Sequence, residues 1–277
     1  MSIIRFPPGA AAKARGMDVD KAEAARAGDA GRHGRQRNVI LPLSVRGASY
    51  ASGGKQLLHE LSFRIEAGRR TVIMGYNGAG KSLTLRLCHG LIKPTSGRLV
   101  WEGPEGNDAQ KTALSQAMVF QKPVLLRRSV RENLLHIVKL RGFRGHDLHQ
   151  RVSRVLGRCG LLHLADHPAR VLSGGEQQKL ALARAWILKP SILFLDEPTA
   201  SLDPAATLEV EAIINAFHSV TTTVFFSTHD IAQAQRLADH VLFIHHGRIV
   251  EDSPADAFFR EPASAEGRAF LNGELLP

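Results

Sequence analysis

What the sequence has little of sets the first bounds. Its 277 residues include only two cysteines, Cys88 and Cys159. That is too few for a disulfide framework, and the spacing is not that of a metal site, so both are expected to pack in a core within a reducing compartment. No apolar run approaches the roughly 18 residues needed to cross a bilayer, and the opening Met1-Ser2-Ile3-Ile4-Arg5-Phe6-Pro7-Pro8 lacks the hydrophobic stretch of an export signal. A soluble chain is expected, dealing with a membrane only through a partner. There is no internal repeat. The formal net charge of +10 invites a nucleic-acid reading, but the basic residues are scattered without interleaved aromatics, which favours a solvated basic surface.

The charge excess is densest at the start. Residues 1 to 37 carry eight Lys/Arg against four acidic residues, with almost no large apolar side chain after Phe6. Such a stretch buries too little surface to offset the entropy of ordering, so a disordered basic extension is expected. The four acids Asp18, Asp20, Glu23 and Asp29 argue against the alternative of an organelle transit peptide. From Val39 the composition changes. Residues 40–50 read as a strand, Ser52-Gly53-Gly54 as a turn, and 57–65 as a second strand with Leu61, Phe63 and Ile65 alternating. A breaker-rich turn at 90–97 precedes a short strand at 98–101, a polar loop at 102–108 and another strand at 117–120.

Between about 123 and 171 the periodicity becomes helical. It opens with the capping box Ser129 to Glu132 and continues with Leu148, Val152, Val155, Leu156 and Cys159 on one stripe. Helices at 175–188, 205–218 and 231–238 then alternate with wholly apolar strands at 192–195 and 223–226, before paired strands at 241–245 and 248–251. The tail from Pro254 reads as one or two short helices. This alternation implies a largely parallel sheet covered on both faces.

Two segments carry chemistry. The apolar Val72-Ile73-Met74 turns abruptly into Gly75-Tyr76-Asn77-Gly78-Ala79-Gly80-Lys81-Ser82, which fits the phosphate-loop spacing. Its glycines let the backbone aim N–H groups into one concavity, and the helix-forming run that follows points its dipole at the same anion. Lys81 then reaches the outer phosphates of a nucleotide and the Ser82 hydroxyl can ligate Mg²⁺. At 192–197, Ile-Leu-Phe-Leu-Asp196-Glu197 places two carboxylates at the end of a buried strand. Asp196 suits Mg²⁺, and Glu197, pointing elsewhere, suits general-base work on a water. A further cradle, Leu172-Ser173-Gly174-Gly175-Glu176-Gln177, opens a helix of its own. One ATP needs only one cradle, so the second is expected to serve a neighbouring copy of the chain.

Taken together, residues 39 to about 250 resemble the ATP-binding subunits of ABC transporters. The resemblance implies an α/β P-loop NTPase fold, RecA-like, with a mainly parallel core, an antiparallel β subdomain and an inserted helical subdomain. The implied boundaries are a basic extension at 1–37, the ATP-binding domain at 38–252 with its insertion at about 123–171, and a helical tail at 253–277. Leu172 to Gln177 matches the family's signature motif, Gln121 the Q-loop glutamine, Ala200-Ser201-Leu202-Asp203 the D-loop, His229 the switch histidine and Tyr50 the adenine-stacking aromatic.

The resemblance further implies a head-to-tail homodimer. Each ATP would lie between the loop of one copy (Gly75, Asn77, Gly78, Ala79, Gly80, Lys81, Ser82, Leu83) and Ser173, Gly174, Gly175, Glu176 and Asp203 of the other. Mg²⁺ would be held by Ser82, Gln121 and Asp196, with Glu197, His229 and Gln121 serving catalysis. Departures from the commonest pattern are Tyr76, where Pro or Ser is common, Leu83, where Thr is usual, and Lys179, where Arg is frequent; they bear on rate and subfamily. A single ATP-binding domain without fused spans fits a transporter with separate membrane permease subunits and an extracytoplasmic substrate-binding protein, the chain lying at the cytoplasmic face of the membrane. The run 119–130, with 236–239 and the tail, looks most like the tungstate and phosphate type of oxyanion importer. The other readings are a non-transport ATPase scaffold, as in iron–sulfur cluster assembly, and a nucleic-acid-associated ATPase.

Overall fold

The computed structural model describes residues 39–143, 147–219 and 222–274; the expected extension at 1–37 lies outside them. In chain order, β1 (Leu43–Ser52) and β2 (Lys55–Ile65) form a hairpin, and β3 (Arg70–Met74) leads into α1 (Lys81–His89). Next come β4 (Ser96–Trp101), α2 (Ala109–Leu114), β5 (Gln116–Val119), and the helices α3 (Val130–Leu140) and α4 (Leu148–Arg158). After α5 (Gly174–Trp186) the pattern is β6 (Ile192–Asp196), α6 (Pro204–Ser219), β7 (Thr223–Ser227), α7 (Ile231–Leu237), β8 (His240–His245) and β9 (Arg248–Pro254). The tail forms α8 (Ala255–Arg260) and α9 (Ala265–Leu271).

The strands make two sheets. A three-stranded sheet has the order β2-β1-β4 and is antiparallel throughout. A six-stranded sheet has the order β5-β6-β7-β3-β8-β9, parallel except for the last strand. The apolar central strands follow from this layering, because successive side chains of a strand point to opposite faces. Leu193 and Leu195 of β6 enter one core with Val224 and Phe226 of β7 and Val72 and Met74 of β3, beneath helices α3 to α6. Ile192 and Phe194, with Phe225 and Ile73, enter a second core shared with α1 and the antiparallel sheet. Both faces are covered, so the central positions of these strands are apolar in succession and the polar residues fall at their ends.

Parallel register brings three strand ends together at one edge. Ile73 pairs with Ser227 and Ser227 with Asp196. The carboxyl ends of β3, β6 and β7 thus open side by side, where open α/β sheets hold ligands. The β8–β9 hairpin turns through His246 and Gly247, at φ 45° and 72°, as a two-residue turn of the primed kind requires.

The elements differ from the sequence reading mainly at short segments. The polar loop at 102–108 ends in the one-and-a-half-turn helix α2, whose Asp108 side chain accepts from the Gln110 and Lys111 N–H groups. Six residues are too few for helical periodicity to register. The expected capping box at Ser129 is formed in full, and the tail makes two helices rather than one.

The tail is fastened by Glu251 at the buried side of β9. Its carboxylate accepts from the Ala263 N–H (3.1 Å), the Ser264 N–H (2.8 Å), the Ser264 hydroxyl (2.6 Å) and the Ser253 hydroxyl (3.1 Å). Burial works to raise its pKa, but the hydrogen bonds from Ser264 and its neighbours outweigh that and hold it below the usual carboxylate value. A depressed carboxylate stabilises the folded state above its unfolded pKa, and this contribution is lost as pH falls through the folded value. Glu251→Gln is therefore expected to cost about 1.5–3 kcal/mol at neutral pH and to flatten the acid limb of the stability curve. Denaturant melts from pH 7 down to 3 check this; wild-type and variant curves that stay parallel would contradict it.

Candidate nucleotide site

The loop after β3 is shaped by close approach. A Cβ on Gly75 would lie 2.1 Å from the Ile244 carbonyl oxygen, and one on Gly80, at φ 112°, 2.7 Å from the Leu58 side chain. Only glycine fits either place. The Ala79 N–H donates to the Tyr76 carbonyl (3.1 Å) and the Gly247 N–H to the Ala79 carbonyl (2.9 Å), so the β8–β9 hairpin braces the loop from behind. Lys81, the first residue of α1, folds its side chain back into the loop, donating to the carbonyls of Gly75 (2.9 Å) and Tyr76 (3.2 Å). Burial pulls its pKa down, and Glu197 and Asp196 oppose that pull.

The strand-end carboxylates meet this loop. The Ser82 hydroxyl donates to Asp196 Oδ1 at 2.7 Å, and the Ser227 hydroxyl donates to the same oxygen at 2.9 Å. Ser227 also accepts from the Glu197 N–H at 3.0 Å. One hydroxyl therefore spans both acidic residues. Glu197 itself sits at φ 44°, a left-handed conformation that is strained for a residue with a side chain. It is held there by Ser227, whose carbonyl also receives the Glu197 N–H at 3.2 Å.

The Glu197 carboxylate is a point of convergence. His229 Nδ1 lies 3.2 Å from Oε1, Lys81 Nζ 3.7 Å from the same oxygen, and Gln121 Nε2 donates to Oε2 at 3.4 Å. These residues line one cavity of about 660 Å³ with Asn77, Gly78, Gly80, Ser82 and Leu83. Thr199 to Ser201, Thr228 and Asp230 complete the lining.

Other expected residues stand outside the lining of that cavity. Ser173 caps α5: its hydroxyl accepts from the Glu176 N–H (3.3 Å) while donating to Glu176 Oε2 (2.9 Å), and that carboxylate also receives the Ser173 N–H (2.8 Å). The Ser173 N–H and burial act in opposite senses on Glu176, with a net pKa below the usual value. Gly175 brings α5 against α6, where an added Cβ would come within 2.8 Å of the Ala206 side chain. Asp203 caps α6 through the Ala206 N–H (2.8 Å). Tyr50, paired with Leu58 across the hairpin, is half-buried against the antiparallel-sheet core.

Two contributors escaped the sequence reading. Ser227 was visible as a hydroxyl ending an otherwise apolar strand, but its partners are set by strand register. The second is a link from α7 to Thr199, in the cavity lining, and to α6: Gln233 Nε2 donates to Thr199 Oγ1 (2.7 Å) and Glu211 Oε1 (3.3 Å), and Arg236 pairs with Glu211 (2.7 Å).

A parallel sheet opening onto a glycine loop, a buried lysine and a strand-end Asp-Glu pair defines a P-loop nucleotide hydrolase, and the antiparallel sheet and the helices α3 and α4 give it the ATP-binding-cassette form. A family model described as "ABC transporter" matches residues 58–200. The "Tungstate uptake system ATP-binding protein TupC" of Peptoclostridium acidaminophilum is 37% identical over 220 residues, covering 79% of this chain and all of that protein. The "Phosphate import ATP-binding protein PstB 2" of Natronomonas pharaonis is 33% identical, covering 84% of this chain and 87% of that one. Among solved structures, cbiO1 from Clostridium perfringens, part of the ABC transporter complex cbiONQ, superposes with a TM-score of 0.71 at 30% identity, covering 79% of this chain and 90% of that one. A dimeric ATP-binding cassette in a post-hydrolysis state, bound to ADP and Pi, superposes with a TM-score of 0.67 at 25% identity, covering 77% of this chain and 98% of that one. The chain belongs to the ABC transporter family and is an ATP-binding ATPase of that family.

Ser227→Ala removes the hydroxyl that spans Asp196 and Glu197 while leaving every cavity-lining side chain in place. Loss of such a supporting partner is expected to lower ATP turnover about ten- to a hundred-fold. Steady-state hydrolysis beside a nucleotide-binding titration reads this, with turnover expected to fall further than affinity.

Proposed function

We propose that this chain is the motor subunit of an oxyanion importer, hydrolysing ATP between two head-to-tail copies. The observation that carries the proposal is the meeting of Lys81, His229 and Gln121 on Glu197 at the phosphate-loop cavity, with a second helix-opening cradle at Ser173 to Gly175 left outside it. In this reading the loop N–H groups and Lys81 bind the β- and γ-phosphates. Glu197 accepts a proton from a water whose oxygen attacks the γ-phosphorus, and ADP leaves as the β–γ oxygen–phosphorus bond breaks. His229 and Gln121 hold the carboxylate in register with that water. Tyr50 stacks on the adenine, and the second copy closes the site with Ser173, Gly174, Gly175, Glu176 and Asp203.

Ser82 Oγ and Asp196 Oδ1, 2.7 Å apart, are hard oxygen donors of the kind Mg²⁺ takes in ones and twos beside phosphate oxygens and water. They fit the ion, and they would hold it together with Gln121. Bound there, Mg²⁺ supplies charge neutralisation at the transferring phosphate.

The relatives named for tungstate uptake and phosphate import support a tetrahedral oxyanion as the transported solute. In this reading the chain works at the cytoplasmic face of the membrane beside separate permease subunits, which an extracytoplasmic binding protein feeds. The relatives' names do not favour the assembly-scaffold reading. No described helix is long and apolar enough to cross a membrane.

Glu197→Gln keeps the shape of the base and removes its proton affinity. Turnover is expected to fall about a hundred-fold or more with ATP affinity largely kept, and light scattering with ATP and Mg²⁺ is expected to give a dimer mass. Hydrolysis equal to wild type would remove Glu197 as the base, and a monomer mass would remove the head-to-tail arrangement.

A further inference from the structure

Tyr76 lies inside the phosphate loop, yet its side chain leaves the loop and joins the carboxyl-terminal tail. The ring packs edge-on against Phe270 of α9 (5.1 Å between centroids, 84° between planes) and against His245 at the end of β8 (6.0 Å, 72°). Its hydroxyl donates to the Glu274 carbonyl at 2.6 Å. Burial, with the Glu274 charge adding to it, raises the Tyr76 pKa, which favours the protonated, donating hydroxyl.

The helix that leads to the acceptor residue is held on its own account. At the close of α9 the Gly273 N–H donates to the Phe270 carbonyl (3.1 Å) and the Glu274 N–H to the Ala269 carbonyl (2.9 Å), with Gly273 at φ 73°. This is the Schellman pattern, which fixes the peptides just beyond a helix. At its other end α9 is capped by Ser264, whose hydroxyl accepts from the Gly267 N–H (3.0 Å), and Ser264 is held by Glu251. Phe270 meanwhile packs on Phe243 of β8 at 5.2 Å. The tail is thus anchored to the sheet independently of the loop.

The loop end of the contact is where nucleotide binding is set. The Tyr76 carbonyl accepts both the Ala79 N–H and the Lys81 ammonium. The peptide following the Tyr76 Cα therefore decides how tightly the loop turns and where Lys81 waits. A side chain pinned at ring and hydroxyl fixes that peptide's orientation.

We propose that Tyr76 is a positioning residue through which α9 braces the phosphate loop in its ATP-accepting shape, so that nucleotide affinity depends on the carboxyl-terminal tail. The brace acts on binding of the β- and γ-phosphates and leaves the carboxylate chemistry at Glu197 untouched. It rests on the loop being the ATP cradle, which Lys81→Ala tests separately.

The experiment is a double-mutant cycle on the full chain, read as the Kd of a fluorescent ATP analogue with Mg²⁺ and as KM and kcat for ATP. Tyr76→Ser and Phe270→Ala, which removes the ring's partner without touching the loop, are each expected to weaken binding about five-fold. The rise is expected in Kd and KM, with kcat changed less than either. The double variant should be no weaker than the poorer single, because both remove one contact. Tyr76→Phe, which keeps the ring and loses only the hydroxyl, should recover part of the affinity. Unchanged Kd in both single variants, multiplying effects in the double variant, or a loss confined to kcat would each overturn the brace. A Phe270→Ala chain too unstable to assay leaves Tyr76→Ser against Tyr76→Phe to decide, with equal wild-type affinity in both overturning it. If Lys81→Ala binds ATP as wild type does, the fault lies with the loop as cradle rather than with the brace.

Discussion

A buried ammonium group governs the architecture around it. Lys81 is only 5 % exposed, and an ionised amine in such a place is costly unless it is paired and hydrogen-bonded. The chain meets that demand from three directions. Two loop carbonyls accept from Nζ, Glu197 approaches it from the end of β6, and Asp196 adds its field. Each supplier in turn constrains the fold. The carbonyls converge only if Gly75 and Gly80 pass close to Ile244 and Leu58. The carboxylates arrive only if β6 lies one strand beyond β7, in the register that sets Ser227 against both. A polyphosphate would offer Lys81 charged partners, stronger than two neutral carbonyls.

Ser227 shows how a fold can place strain where chemistry needs it. Glu197 adopts a backbone conformation that residues with a Cβ avoid, which turns its carboxylate off the strand axis and towards Lys81, His229 and Gln121. The neighbouring strand's hydroxyl and carbonyl both receive the Glu197 N–H, and their combined hold offsets that cost.

Much of this was legible before any coordinates. Val72-Ile73-Met74 ahead of the glycine loop announced a buried strand feeding a phosphate cradle, and Asp196-Glu197 after Ile192 to Leu195 announced the acidic strand end; both are local patterns, written by neighbours in sequence. The capping box at Ser129 was legible for the same reason, whereas the one at Ser173 was read only as a helix start. What stayed hidden was non-local. Ser227 acquires partners only through register with β6, and Tyr76 looked like a plain departure from a family pattern because Phe270 and Glu274 lie far along the chain. Helix α2 was missed at the other extreme, being too short to show a period.

At the tip of the β8–β9 hairpin a single residue bonds both the glycine loop and the antiparallel sheet. Gly247 gives its N–H to Ala79 in the loop and its carbonyl to the His59 N–H of the antiparallel sheet, and a Cβ there would strike the Leu57 carbonyl at 2.4 Å. One peptide unit thereby ties the placement of the small sheet to that of the glycine loop, in addition to the core that the two sheets share.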